Sequence, residues 1–174
     1  MQVTMGLRRA ALIRGNQTAV LDGSIRRSWR EVEDRVARLA GALRAAGLGR
    51  GDRVAILMLN GHRYLELYYA VPWAGGVVMP LNIRLSPLEL LAQITDGEPT
   101  FIVVDDTFAR VTASLGQQMA SVRAVVHAGD ASAEERSRTS RSSPADRPST
   151  IRTCAATMCT DCFTPPARRP HQRV

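Results

Sequence analysis

RVAILMLNGHRYLELYYAVPWAGGVVMPL, residues 53–81, is the stretch of sequence that decides the fold. It opens with a strand-like segment, 53–59, whose apolar run shows no alternation of polar and apolar residues. Such a run has no face that it can leave in water, which is typical of a strand buried between two layers of helices. A helical segment, 62–74, and a second apolar run, 77–81, follow it. The stretch therefore predicts a strand, a helix and a second, parallel strand.

Upstream of this unit, the sequence predicts a β-hairpin followed by a long helix. Asp22-Gly23 separates two short apolar runs, which is a common hairpin turn. Ser28 and Glu31 have the spacing of a capping box, so a helix is expected to begin there. Gly47 is placed to end that helix in a left-handed conformation. The expected buried face of the helix contains Trp29, Val32, Val36, Leu39 and Leu43.

The segment 47–52, GLGRGD, has two interpretations. Its three glycines are typical of a loop that binds phosphate groups. Such a loop, however, follows a strand and opens a helix, whereas this one follows a helix and opens a strand. We therefore interpret it as a turn.

Downstream, the alternation of strands and helices continues. Ser86 and Glu89 form a second predicted capping box, with Pro87 at the first helical position, where its missing N–H costs nothing. This helix is expected to run through Ile94 and to break at Asp96-Gly97. A strand over 101–105, a helix over 107–119 and a strand over 123–127 complete the pattern. The fold class is therefore α/β, with a parallel, layered sheet and right-handed crossovers.

The helix at 62–74 contains four of the eight Phe, Trp and Tyr residues of the chain. Tyr64, Tyr68, Tyr69 and Trp73 are interpreted as core packing, with pocket lining as the alternative. His62 lies where a loop meets this helix, with no cysteine or second histidine nearby in the sequence. It is predicted to be a surface or packing residue and not a metal ligand or general base.

The charge of the chain is distributed unevenly. Residues 1–130 contain 15 Arg against 12 Asp and Glu, a net of +3, while 131–174 contain 8 Arg against 4 acidic residues, a net of +4. The arginines before residue 130 alternate with acidic residues, and no aromatic RNA-binding motif accompanies them. Nucleic acid is therefore not an expected partner.

No segment indicates export or membrane insertion. The N-terminal residues lack an apolar core of signal-peptide length, and no apolar run approaches the roughly 20 residues of a membrane span. A soluble cytoplasmic protein is expected.

Four stretches together resemble a known family. They are Ser28-Trp-Arg-Glu, Leu48-Gly-Arg-Gly-Asp-Arg-Val-Ala-Ile-Leu, Ala74-Gly-Gly-Val-Val-Met-Pro-Leu-Asn-Ile-Arg-Leu-Ser-Pro, and Phe101-Ile-Val-Val-Asp-Asp. In order and spacing, they are similar to the opening of the AMP-forming acyl-CoA synthetases, members of the adenylate-forming superfamily. The resemblance covers about residues 8–130.

The resemblance implies a scaffold without the machinery of catalysis. The intact enzymes use ATP, magnesium and coenzyme A to convert a carboxylic acid to an acyl-adenylate and then to a thioester. Their phosphate loop, adenine-binding segment, ribose-binding aspartate and C-terminal catalytic lysine have no counterpart in this chain. No catalytic, cofactor-binding or metal-binding residue is therefore assigned. Asn82 and Arg84 match a family stretch and are interpreted as structural.

The segment 131–174 differs in composition from the first 130 residues. It is rich in Ser, Arg, Pro and Thr without apolar periodicity, which is typical of disorder, so the domain is expected to span 1–130. Cys154, Cys159 and Cys162 have the spacing of a plant-type iron–sulfur motif, and His171 follows them. A metal site also needs a fourth ligand and a surrounding fold, which this composition does not supply. Metal binding is therefore the weaker alternative.

A shifted reading frame explains the segment better. If each codon is read from its third base, Asp161 onward permits Leu, Phe, Tyr, Thr, Ser, Gly, Thr, Thr, Ala, Ala, Pro, Lys and Gly. This string resembles the family's phosphate loop, with one departure at Arg169-Pro170, which cannot give the usual glycine. The hypothesis is a frameshift between about 130 and 156. It fails if no single-base shift of the coding DNA gives a Tyr-Thr-x-Gly-Thr-Thr-like string before residue 174.

The expected function is therefore that of a truncated acyl-CoA synthetase for fatty or related carboxylic acids, inactive as this chain. Whether the chain is an enzyme at all stays open on sequence grounds. The alternative is a non-enzymatic α/β module that binds a partner. Exposed strands and apolar patches would also favour self-association.

Overall fold

The computed structural model describes residues 3–129. The predictions for 131–174, including the three cysteines, His171 and the shifted frame, lie outside the described residues. Within 3–129 the elements are α1 (Thr4–Arg14), β1 (Thr18–Asp22), β2 (Ile25–Ser28), α2 (Trp29–Ala45), β3 (Arg53–Leu57), α3 (His62–Ala74), β4 (Val77–Pro80), α4 (Pro87–Gly97), β5 (Phe101–Val104), α5 (Ala109–Leu115), a 3₁₀ turn (Gly116–Gln118) and β6 (Ala124–His127).

The main sheet is parallel, with strand order β4-β3-β5-β6. Strand β3 is central: Val54 pairs with Val78 of β4 on one side and with Phe101 of β5 on the other. Strands β1 and β2 form a separate antiparallel hairpin. The predicted α/β class with a parallel sheet is confirmed.

Helices cover both faces of the sheet. Successive strand residues point to opposite faces, so Val54 and Ile56 pack with α1, α2 and α3, whereas Ala55 and Leu57 pack with α4 and α5. All four side chains are at most 1% exposed. The unbroken apolar run is thus explained by burial on both sides.

Both predicted capping boxes are confirmed. Ser28 accepts from the N–H of Glu31 while the Glu31 carboxylate accepts from the N–H of Ser28. Ser86 and Glu89 repeat this arrangement at the start of α4, and Pro87 occupies the first turn. Each glutamate carboxylate accepts a hydrogen bond from a backbone N–H, and this bond lowers the pKa of the carboxyl below its ordinary value.

The segment 47–52 is a turn between α2 and β3, as predicted. Gly47 has a φ of 96°, the expected left-handed conformation after α2. The Asp52 carboxylate accepts from the N–H of Gly49 at 3.0 Å, which closes the turn. The Asp52 side chain thus occupies a backbone N–H group that a bound phosphate would need.

Three elements have ends that differ from the predictions by two or more residues. Helix α4 continues through Asp96-Gly97, and Glu98, with a φ of 42°, follows its last residue. A Cβ on Gly97 would lie 2.1 Å from Cε of Met79, so the glycine leaves room for that side chain. Strand β3 ends at Leu57 and not at residue 59, and the N–H of Leu59 donates to the Asp105 carboxylate at 2.8 Å.

The third difference concerns the helix predicted over 107–119. The α-helix is confined to Ala109–Leu115 and is followed by a 3₁₀ turn. Asp105 accepts from the N–H groups of Thr107 and Phe108, which forms a turn before the helix can begin. Gly116 marks its other end.

Helix α1 was not predicted. Its buried residues are Leu7 and Ala11, which pack toward α2 and α3. One pair of buried residues four apart is too short a signal to identify an amphipathic helix.

A buried ion pair joins α2 to α3. Nε of Arg35 donates to Oε1 of Glu66 at 2.5 Å, and Nη2 donates to Oε2 at 3.0 Å. The Glu66 side chain is only 2% exposed and that of Arg35 11%. Each charge is therefore held in a low-dielectric interior by its partner.

A second polar contact joins the hairpin to α3. Gly61 precedes α3 and supplies no capping side chain. Oδ2 of Asp22 accepts instead from the backbone N–H of His62 at 2.8 Å and from Nδ1 of the ring at 2.7 Å. A Cβ on Gly61 would lie 3.0 Å from that oxygen, so glycine leaves room for the carboxylate. The hairpin thus caps a helix forty residues away.

Removing one member of the buried ion pair should destabilise the protein strongly. Glu66→Leu leaves the Arg35 charge buried without its carboxylate, and we expect a loss of about 3–5 kcal/mol in the free energy of unfolding. The double variant Arg35→Met/Glu66→Leu should recover most of that loss. Urea denaturation measures both. Asp34→Ala, which breaks the exposed pair with Arg38, is the control and should cost less than about 0.5 kcal/mol. A double variant no more stable than the single one would contradict this account.

The hairpin contact should give an acid-sensitive contribution to stability. Hydrogen bonds from His62 hold the pKa of Asp22 below its ordinary value of 3.8. The contribution is therefore present above about pH 4 and is lost as pH falls through the lowered pKa. Asp22→Asn should lower Tm at neutral pH. The difference in Tm between this variant and the original chain should become smaller in acid. Asp96→Asn, an exposed carboxylate on α4, is the control. A Tm difference for Asp22→Asn that is constant with pH would refute the assignment.

Candidate functional site at the carboxyl edge of the sheet

An open recess of about 360 Å³ lies where β3, β5 and β6 end. Ligands of open α/β sheets bind outside the carboxyl ends of the strands, so this edge is the first place to examine. The β1–β2 hairpin forms one wall, and the first turn of α3 forms another. The lining residues are Asp22, Gly23, Ser24, Ile25, Met58, Leu59, Gly61, His62, Arg63, Tyr64, Asp105 and Ala128.

His62 lines the recess, but its ring is largely buried. Its side chain is 11% exposed, and Nδ1 is bound to Asp22. The prediction of a packing residue describes this position well, although the carboxylate partner was not foreseen. No sequence pattern relates two residues forty positions apart, so the Asp22-Gly23 signal indicated only a turn.

A second histidine–aspartate pair lies at the same edge. Nε2 of His127, at the end of β6, lies 3.1 Å from Oδ1 of Asp106, which follows β5. The N–H of Gly129 donates to Nδ1 of the same ring at 3.2 Å. With Nδ1 accepting, Nε2 carries the proton and faces the carboxylate. This pair joins the ends of two neighbouring strands.

Asp105 is used for structure. Oδ2 accepts from the N–H of Leu59, while Oδ1 accepts from those of Thr107 and Phe108. Three backbone donors therefore bind this carboxylate. It connects the loops after β3 and β5 and is not free to act as a base.

The aromatic side chains of α3 lie at the edge of the hydrophobic core and are not fully buried in it. The buried residues of the helix are Glu66, Leu67, Ala70, Val71 and Ala74. Tyr64, Tyr69 and Trp73 are partly buried against the core, and Tyr68 is 38% exposed. Tyr64 both packs against Tyr68, with ring centroids 5.2 Å apart, and lines the recess. Burial and a hydrogen bond with Tyr68 raise the pKa of Tyr64.

Asn82 and Arg84 lie outside the recess lining. Oδ1 of Asn82 accepts from the N–H of Arg84 at 3.0 Å, which makes a local turn before α4. This contact supports their interpretation as structural residues.

The recess does not fit the triphosphate of ATP. Two of its lining side chains, Asp22 and Asp105, are carboxylates, and both accept hydrogen bonds from backbone N–H groups that an anion would otherwise use. Among residues 3–129, no group of three or more His, Cys, Asp or Glu side chains is arranged to hold a metal ion. In the same range, no helix is long and apolar enough to cross a membrane.

Solved structures share this fold, and curated relatives share part of its sequence. The chain is similar to a fatty acyl CoA synthetase of Mycobacterium tuberculosis, with a TM-score of 0.70, 25% identity, and coverage of 86% of this chain and 30% of that one. It is 36% identical over 121 residues to a long-chain-fatty-acid–CoA ligase of Thermus thermophilus, covering 67% of this chain and 22% of the relative. It is 40% identical over 107 residues to a feruloyl-CoA synthase of an Amycolatopsis species, covering 62% and 22%.

The matches to the curated relatives cover most of this chain but only a small part of each relative. The chain spans about a fifth of the length of the curated relatives that it matches. The family model described as AMP-binding enzyme matches residues 7–169, which is most of the chain. The resemblance first noted in the four sequence stretches is therefore confirmed, and the chain belongs to the AMP-binding enzyme family.

Proposed function

We propose that this chain provides the N-terminal scaffold of an AMP-forming acyl-CoA ligase. The observation that carries the proposal is the β4-β3-β5-β6 sheet with its two helix layers, which matches a fatty acyl CoA synthetase over most of this chain. The complete reaction would be attack of a carboxylate on the α-phosphate of ATP, followed by transfer of the acyl group to coenzyme A. Magnesium would accompany the nucleotide.

The acyl group is proposed only as a class. The relatives named above act, by their names, on long-chain fatty acids and on ferulate, which differ in shape but share a carboxylate. We therefore propose a fatty or related carboxylic acid as the substrate of the complete ligase. We also propose a cytoplasmic location, which rests on the sequence alone.

The chain by itself is proposed to be inactive. Two acidic side chains of the recess already have partners within the protein: Asp22 binds His62, and Asp105 accepts from the N–H of Leu59. No donors remain in those contacts to stabilise charge on a transferring phosphoryl group. Preorganised donors of this kind supply much of the rate enhancement in such reactions.

An assay of acid-dependent pyrophosphate release tests this proposal. The purified 174-residue chain is incubated with ATP, magnesium and coenzyme A, and with a long-chain fatty acid or ferulate. We expect no release above the acid-free control, while the Thermus ligase assayed in parallel should be active with the fatty acid. A cooperative thermal transition shows that the assayed chain is folded. Acid-dependent release by the folded chain would overturn the inactive scaffold.

A further inference from the structure

The outward face of α1 exposes three large apolar side chains. Met5, Leu12 and Ile13 are 64%, 86% and 67% exposed. On the opposite side of the helix, Leu7 and Ala11 are buried against α2 and α3. Because α1 is anchored through that inner side, its apolar outer side is directed away from the sheet. Three large exposed apolar side chains on one side of a surface helix indicate a binding surface more strongly than scattered single residues do.

The same helix is entirely basic in its charged residues. It contains Arg8, Arg9 and Arg14 and no acidic residue. Met5, Arg9 and Leu12 are related by steps of four and three, so they lie along one stripe of the helix, and Ile13 lies one turn beyond Arg9. The outer face therefore combines alkyl groups with an exposed guanidinium.

Arg8 extends this basic surface while it is held in place. Its guanidinium lies over the ring of Trp73 at 4.8 Å from the centroid, and Nε is 4.0 Å from Glu33. Its side chain is nevertheless 64% exposed. These two contacts join α1 to α3, through Trp73, and to α2, through Glu33.

We propose that the outer face of α1 binds the surface of an anionic lipid bilayer. Alkyl side chains gain by entering the interfacial region, and guanidinium groups are attracted to anionic headgroups. A second copy of this helix is a poorer partner, because α1 has no carboxylate to face Arg9. The proposal does not depend on the proposed ligase activity.

Vesicle co-sedimentation of the full 174-residue chain tests this surface. Vesicles of phosphatidylcholine alone are compared with vesicles that also contain phosphatidylglycerol. We expect the original chain to bind the anionic vesicles. Leu12→Gln/Ile13→Gln should weaken this binding about tenfold, because two alkyl groups that would enter the bilayer are lost. Arg9→Gln should weaken binding about fivefold and reduce its salt dependence. Leu88→Gln is the matched control, because Leu88 is 77% exposed but lies on α4, across the sheet.

The variants separate α1 from other contributions. The eight arginines of 131–174 also attract anionic lipid. If they account for binding, Leu12→Gln/Ile13→Gln will bind as the original chain does, and the proposal is wrong. Equal loss with Leu88→Gln would also overturn it. A dimer that Leu12→Gln/Ile13→Gln dissociates, without vesicle binding, would identify a second copy as the partner instead. A thermal melt of each variant confirms folding, which is expected because the substituted side chains are exposed.

Discussion

The burial of β3 on both faces is the constraint on which the rest of the structure depends. A strand without solvent on either face must pair its backbone groups along both edges, and β4 and β5 supply those partners. Its side chains must also find apolar surface above and below. The α1–α2–α3 layer covers one face and the α4–α5 layer the other. The strand order β4-β3-β5-β6, with helices on both faces, meets these two requirements.

Polar contacts add specificity to this apolar arrangement. Arg35–Glu66 joins two helices of one layer, Asp22–His62 attaches the hairpin to α3, and Asp105 connects the loops after β3 and β5. All of these acidic side chains are used to satisfy donors within the protein. At the carboxyl edge of the sheet, the Asp22 and Asp105 carboxylates therefore already accept hydrogen bonds from within the protein.

The sequence could predict the local and periodic features of the fold. Both capping boxes, the hairpin turn, the buried strands and the parallel sheet depend on spacing within a few residues, which the sequence displays directly. The Arg35–Glu66 and Asp22–His62 contacts could not be predicted, because they join residues 31 and 40 positions apart without a shared motif. Helix α1 was not predicted because only two of its residues, Leu7 and Ala11, are buried. The end of α4 was misplaced because the helix continues through Gly97 and the residue that takes the left-handed conformation is Glu98, which is not a glycine.

If residues 3–129 form the N-terminal scaffold proposed above, they should function in place of the matching part of a related ligase. The most direct measurement is acyl-CoA formation by a chimera in which these residues replace the matching segment of the Thermus thermophilus ligase. We expect a soluble, folded chimera that forms acyl-CoA from a long-chain fatty acid. A chimera that folds and melts cooperatively but forms no acyl-CoA would contradict it.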